Sequence, residues 1–253
     1  MTTNTSNLTG KVAFITGGNR GIGLETAREL GKLGAQVVIG ARDAEKGKTA
    51  AETLVAEGIR AESIRFDVLR PEDRQAAYDY FGQRYGKLDI LVNNAGVQKE
   101  IEHLAPINET STVSPEIMRE TFEANFFTLV ELTQKLLPLI RKSPEGRIVN
   151  LSSVLGSLNL HTNPEAQIYD VKIFAYDASK AAVNMFTIHL AHELRDTPIK
   201  VNSAHPGWVK TEIGGKYAEI DVTEGSKTSV MLATLPADGP SGQFFFMDNQ
   251  LPW

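Results

Sequence analysis

Residues 16–23, "TGGNRGIG", constrain the chain most. They follow "KVAFI", a short apolar run rich in β-branched residues that reads as a buried strand. They precede "GIGLETARELGKLGA", whose Ile22, Ala27, Leu30 and Leu33 recur at helical spacing and whose Gly34 suits a helix end. A glycine-rich turn from a strand into a helix permits a sharp reversal and lets backbone N–H groups approach an anion at the positive helix end. A ligand-free glycine turn is the plainer alternative. Its position at the start of a strand–helix–strand unit favours a diphosphate.

The same rhythm continues along the chain. "QVVIGAR", "IRAESIRFDV", "LDILVNNAG", "GRIVNLSS", "IKVNSAHPG" and "GQFFFMD" read as further strands. Helices are expected between them: one opening at the N-cap Asp43, one at Pro71, a long one near 114–141, one from near Tyr176 to about Asp196, and one around 223–235. Apolar strands alternating with helices predict a three-layer αβα sandwich around a seven-stranded parallel sheet of the Rossmann type, as one domain over 1–253. Two segments break the rhythm, 97–113 and 154–175. Connections that long in a compact domain are usually functional or mobile.

Bulk composition narrows the function. The chain of 253 residues has no cysteine, which excludes disulfides and zinc–thiolate sites and suits a reducing, cytoplasmic setting. A net charge of −5 with scattered Lys and Arg gives no nucleic-acid footprint. The opening "MTTNTSNLTG" lacks the apolar core of a signal peptide. The stretch 122–140 carries Glu123, Asn125, Glu131 and Lys135, so it reads as a buried helix rather than a membrane span. His189 and His192 stand three apart on one helix, but no further ligand cluster accompanies them, so no metal is expected.

The end of the second strand bears on the choice of nucleotide. A binder of NAD usually has an acid there for the ribose hydroxyl. This strand ends in Arg42, and the turn itself carries Arg20. Two guanidinium groups suit a 2′-phosphate, which predicts NADP(H) in preference to NAD(H). Further on, "YDASK" sets Tyr176 and Lys180 one helical turn apart, so a phenol and an ammonium converge on one face. A phenol beside a cation ionises more readily, which makes a general acid.

Together these stretches resemble the short-chain dehydrogenase/reductase family. "TGGNRGIG", Asp67, "NNAG" (93–96), Asn125, "NLSS" (150–153), "YDASK" (176–180) and "PGWVKT" (206–211) occur in the family's order over nearly the whole chain. The pattern is most similar to the family's NADPH-dependent carbonyl reductases, through "GGNRGIG", "GARD" and "GQFFFMDNQLPW".

The resemblance implies a role for each matching residue. Tyr176 would protonate a carbonyl oxygen, and Lys180 would depress its pKa and hold the nicotinamide ribose. Ser153 would polarise the carbonyl, and Asn125 would position a water leading from Lys180. Gly17, Gly21 and Gly23 would cradle the diphosphate, with Asn19, Arg20 and Ile22 also contacting the cofactor. Asp67 and Val68 would touch the adenine. The backbone of Asn94, Ala95 and Gly96 would line the adenosine ribose, Val209 and Thr211 would hold the carboxamide, and Pro206 and Gly207 would also contact the cofactor.

Rival readings remain for several of these residues. Ser152 competes with Ser153, since alternate residues of a strand face opposite ways. Asn125 read alone is an ordinary buried amide. Tyr169 lacks a lysine one turn on, and Trp208 is either a pocket lid or a packing residue.

Between Ser153 and Tyr176 roughly ten residues are inserted beyond the family's usual spacing. This insertion, with 97–106 and 208–221, should wall the substrate pocket. It lies near the helices that make the family's dimer and tetramer contacts, so a homo-oligomer is compatible with the sequence but the usual tetramer is disfavoured.

The implied activity is reduction of a ketone or aldehyde to an alcohol, with a small-molecule substrate and neither nucleic acid nor membrane as partner. An NAD(P)-dependent alcohol or polyol dehydrogenase and a 3-oxoacyl-thioester reductase are the alternatives within the family. A dinucleotide sensor without catalysis is the alternative outside it.

Overall fold

The computed structural model describes residues 7–102, 105–215 and 217–253. Part of the opening stretch (1–6) and parts of the predicted pocket walls (103–104 and 216) lie outside the described residues.

Seven strands run parallel: β1 (Val12–Thr16), β2 (Gln36–Ala41), β3 (Ala61–Arg65), β4 (Ile90–Asn93), β7 (Arg147–Leu151), β8 (Lys200–Ala204) and β9 (Phe244–Phe246). A two-residue strand, β10 (Asn249–Gln250), adds antiparallel to β9, giving the order β10-β9-β8-β7-β4-β1-β2-β3. The expected seven-stranded parallel sheet is therefore present, with an eighth strand that the sequence reading did not foresee. The order reverses beside β1, and in open α/β sheets ligands bind at such a switch point, beyond the carboxyl ends of the strands.

Strand β1 explains why the sheet is covered on both sides. Ala13 and Ile15 point into one core with Ala27 and Leu30 of α1 (Gly21–Lys32), Leu54 of α2 (Ala44–Ala56) and Leu232 of α8 (Val222–Ala233). Val12 and Phe14 point into the other, with Phe81 of α3 (Pro71–Arg84) and Leu136 of α5 (Thr128–Ile140). Leu190 of α7 (Phe174–Glu193) joins that second core. A strand buried on both faces reads as a continuous apolar run, which is how β1 and β2 were recognisable.

The predicted helix near 114–141 is interrupted. It begins as α4 (Pro115–Phe122), widens into a π-helical turn at Glu123–Phe127, and continues as α5. Such single π turns concentrate at functional positions, and this one carries Asn125. The two irregular segments have structure of their own. Segment 97–113 holds a small hairpin, β5 (Ile101–Glu102) with β6 (Ala105–Pro106). The insertion holds a 3-10 turn at Val154–Gly156 and the short helix α6 (Leu158–Thr162). Helix α6 is tied down where Ser157 Oγ donates to the carbonyl of Pro252 (2.8 Å) and the N–H of Asn159 to that of Trp253 (2.9 Å).

Among the described residues no helix is long and apolar enough to cross a membrane. No group of three or more His, Cys, Asp or Glu among them could hold a metal ion.

Candidate active site

A cleft of about 720 Å³ runs along the carboxyl ends of the strands, from the glycine turn past Arg42 and Phe66–Leu69 to Asn94–Val97, Ala124 and Leu151. The turn is locked to the strand next to it. Thr16 Oγ1 accepts the N–H groups of Asn94 and Ala95 (both 3.0 Å), and Asn94 Nδ2 donates to the Thr16 carbonyl (2.8 Å). Gly17 and Gly21 take positive φ (63° and 55°), which favours glycine. A Cβ at Gly23 would stand 2.5 Å from Asn94 Nδ2 and 2.6 Å from the Gly17 carbonyl oxygen, so no larger residue fits.

Helix α1 starts from Arg20 with no side-chain cap. Its first N–H groups are therefore left for another acceptor, as a diphosphate site requires. The glycine cradle, the uncapped helix and the length of the cleft all fit a dinucleotide.

Two departures concern the nucleotide end. Arg20 pairs with Glu212 across the mouth of the cleft, so a 2′-phosphate would compete with that carboxylate for it. Lys46, overlooked in the sequence, lines the cleft with Arg42. Its signal was its position on the first turn of α2, four residues after Arg42. Asp43 is the helix cap that the sequence suggested, accepting from the N–H groups of Glu45 (3.0 Å) and Lys46 (3.1 Å). Asp67 and Val68 lie on the wall, as do Asn19, Ile22 and Thr211. Pro206, Gly207 and Val209 are not on it; Val209 is buried against Gly225, where an added Cβ would lie 2.6 Å from Val209 Cγ2.

The proposed catalytic side chains stand just beyond the Leu151 end. Lys180, 5% exposed, donates from Nζ to the Leu151 carbonyl (2.8 Å), with Nζ 5.6 Å from the Tyr176 ring centre. Ser153 Oγ accepts the Leu155 N–H (3.2 Å) and lies close enough to the Tyr176 phenol to favour its ionisation. Ser152 points the other way and donates to the Lys180 carbonyl (3.3 Å), bracing the helix instead. A Cβ at Gly96 would lie 3.2 Å from Asn125 Oδ1 and 3.6 Å from Lys180 Nζ, so Gly96 separates those two groups. Asn125 donates to the Val97 carbonyl (2.9 Å) and to Ser179 Oγ (3.0 Å), and accepts the Val97 N–H (2.8 Å). Both donors of the amide are thus committed to structure. A water could use only the remaining lone pair of Oδ1.

The electrostatics differ from the simple pairing of phenol and cation. Burial pushes the Tyr176 phenol up to about 12; Ser153 opposes this and the Asp177 charge adds to it. Burial also lowers Lys180 to about 8. The same dry pocket penalises the phenolate and the ammonium alike, so desolvation outweighs their mutual attraction. The site holds a phenol that keeps its proton at neutral pH.

His205 is a further residue that sequence reasoning passed over. Burial holds it down to about 4, so it is neutral, and its Nδ1 accepts the Val154 N–H (3.2 Å), fixing the chain directly after Ser153. Trp208 is neither core nor buried lid. Its ring is 51% exposed and its Nε1–H donates to the Gly214 carbonyl (2.9 Å), bracing the 209–215 loop.

Residues 11–221 match the family model described as short chain dehydrogenase. Carbonyl reductase [NADPH] 1 of Mus musculus is 34% identical, covering 96% of this chain and 98% of its own. Salutaridine reductase from Papaver somniferum superposes with a TM-score of 0.78 at 30% identity, over 94% of this chain and all of that one (100%). An NADPH-bound carbonyl reductase from chicken fatty liver superposes with a TM-score of 0.82 at 26% identity, over 97% and 99%.

Proposed function

Because this chain belongs to the short-chain dehydrogenase family, we propose that it reduces a ketone or aldehyde to an alcohol with NADPH, as a single dinucleotide-binding unit working in the cytoplasm. The observation that carries this reading is a half-buried Tyr176 that keeps its proton beside Ser153, one helical turn from the buried Lys180 and just beyond the end of a nucleotide-sized cleft.

Bound in that cleft, reduced nicotinamide would supply a hydride to the carbonyl carbon. The chain does the rest. Ser153 donates a hydrogen bond to the carbonyl oxygen and so polarises it. Tyr176 holds the proton on its hydroxyl and releases it to that oxygen as negative charge develops. Donors already in place stabilise such charge most, and a positioned acid contributes about 10²–10⁴ in rate. Lys180 sits near its own titration point and stabilises the phenolate left behind, while Asn125 Oδ1 faces it across Gly96. Arg42, Lys46 and Arg20 favour the 2′-phosphate, the first two without displacing a partner that bridges the cleft.

The test is consumption of NADPH and of NADH, followed by absorbance over a panel of ketones, aldehydes, polyols and 3-oxoacyl thioesters. The reading expects carbonyl reduction with NADPH well ahead of NADH. Turnover confined to polyol oxidation would favour a dehydrogenase, and tight NADPH binding with no turnover would favour a sensor.

A further inference from the structure

Helix α7, which carries Tyr176, has no cap of its own. Its N-cap position is Ile173, which offers no side-chain acceptor. The missing acceptor lies 76 positions upstream of Tyr176, in segment 97–113. Glu100 is fully buried (0% exposed), and its Oε2 accepts the backbone N–H of Tyr176 itself (2.8 Å). Its Oε1 accepts from Asn108 Nδ2 (3.1 Å). The main chain around it is fixed as well. The N–H groups of Glu100 and Ile101 donate to Gln98 Oε1 (3.2 and 3.1 Å), and the Ile107 N–H donates to the Glu100 carbonyl (2.8 Å).

Among the described residues no cation pairs with Glu100. A buried carboxylate without one is costly. The compensation here is the positive end of a twenty-residue helix, whose third N–H would otherwise lack a partner. A chain that needed only a stable helix could place Ser or Asp at 173 at far lower cost.

We propose that Glu100 is a positioning residue for Tyr176, coupling the substrate-side segment 97–113 to the backbone of the reacting residue. The proposal rests on the reading of Tyr176 as the proton donor. Movement of segment 97–113, whose hairpin adjoins the predicted substrate wall, then displaces the amide of the catalytic acid directly.

The neighbouring groups make the coupling sensitive to charge. Asp177 Oδ2 accepts the Ile173 N–H (3.1 Å) and lies 3.5 Å from His161 Nε2 of α6. Lys172 Nζ lies 3.2 Å from His161 Nδ1. Burial raises Asp177 to about 7, the Ile173 N–H opposes that rise, Glu100 adds to it and Lys172 opposes it. Removing the Glu100 charge therefore lets Asp177 ionise at lower pH.

The experiment compares Glu100→Gln, which keeps an acceptor for the Tyr176 N–H, with Glu100→Ala, which does not. Steady-state kinetics with NADPH and the best ketone should show Glu100→Ala losing kcat about 10–100-fold with the KM for NADPH within about twofold, and Glu100→Gln recovering most of that loss. Independently of turnover, hydrogen exchange of the Tyr176 amide, read by NMR on isotope-labelled tyrosine, should accelerate about tenfold or more in Glu100→Ala and little in Glu100→Gln. Retained kcat in Glu100→Ala, equal loss of kcat and NADPH affinity, or an unchanged Tyr176 amide would each overturn the proposal. If the wild-type protein reduces no carbonyl, the functional reading falls, and the amide exchange still decides the role of Glu100.

Discussion

The proposed cofactor side and the proposed substrate side of the cleft are built by opposite means. On that cofactor side, strand ends and short turns hold the backbone, and Thr16, Gly23 and Asn94 interlock within hydrogen-bond or contact distance. On the substrate side stand a two-strand hairpin, a five-residue helix and loops that leave Leu158, Phe174, Trp208 and Ile213 exposed. A diphosphate is recognised by backbone geometry, which demands particular residues. A carbonyl compound is recognised by apolar shape, which many residues can supply. One side is therefore rigid and specific in sequence, and the other is open to variation.

The proposed catalytic set lies at the seam, and breaking it should have the largest effect. Lys180→Met should cut turnover about 10³-fold. It should also stabilise the protein. Burial lowers Lys180 from 10.5 to about 8, so below pH 8 the folded state bears an ammonium in a dry pocket, and that cost fades as pH rises toward 10.5. At neutral pH the substitution should gain about 1–3 kcal/mol, less the lost bond to Leu151, and thermal unfolding at pH 7 and pH 10 should show the gain shrinking at the higher pH. A lower unfolding temperature at pH 7 would contradict this.

The rigid side should be the next most fragile. Gly23→Ala forces a methyl group against Asn94 and the Gly17 carbonyl, and should cost about 1–3 kcal/mol of stability and at least tenfold in NADPH affinity. Leu158→Ala, on the exposed α6, should change stability by less than about 0.5 kcal/mol. If both cost the same in urea denaturation, the contrast between the two sides is wrong.

The cofactor choice gives a smaller effect. Arg42→Ala should weaken NADPH binding about tenfold and NADH binding less than twofold by fluorescence titration. Glu212→Gln should release Arg20 and tighten NADPH a few-fold. Replacing 158–162 with glycine and serine should reorder ketone preference a few-fold and leave the NADPH dissociation constant in place. An altered dissociation constant with unaltered preference would assign α6 to the other side.

What the sequence made legible follows the same division. β1, the glycine turn and Asn94 were readable because burial on both faces and close backbone approach restrict the residues allowed. "YDASK" was readable because helical spacing alone brings Tyr176 and Lys180 together. The π turn around Asn125, β10 and α6 left no local signal, since tertiary contacts decide them; α6 holds through Ser157 and Asn159 to residues 252–253. The direction in which the Tyr176 pKa moves was also hidden, because burial is a property of the folded pocket and i,i+4 spacing reports only proximity. Glu100 was invisible for a like reason. Nothing near residue 100 in the chain indicates that its carboxylate meets an amide on α7.

The most direct measurement is a single-turnover reduction with NADPH bound in advance, comparing wild type with Tyr176→Phe and measuring NADPH affinity on the same samples. The account predicts one alcohol formed per NADPH consumed in the wild type, and a rate lower by about 10³ in the variant with nearly unchanged affinity. A Tyr176→Phe protein that reduces the ketone at close to the wild-type rate would contradict it.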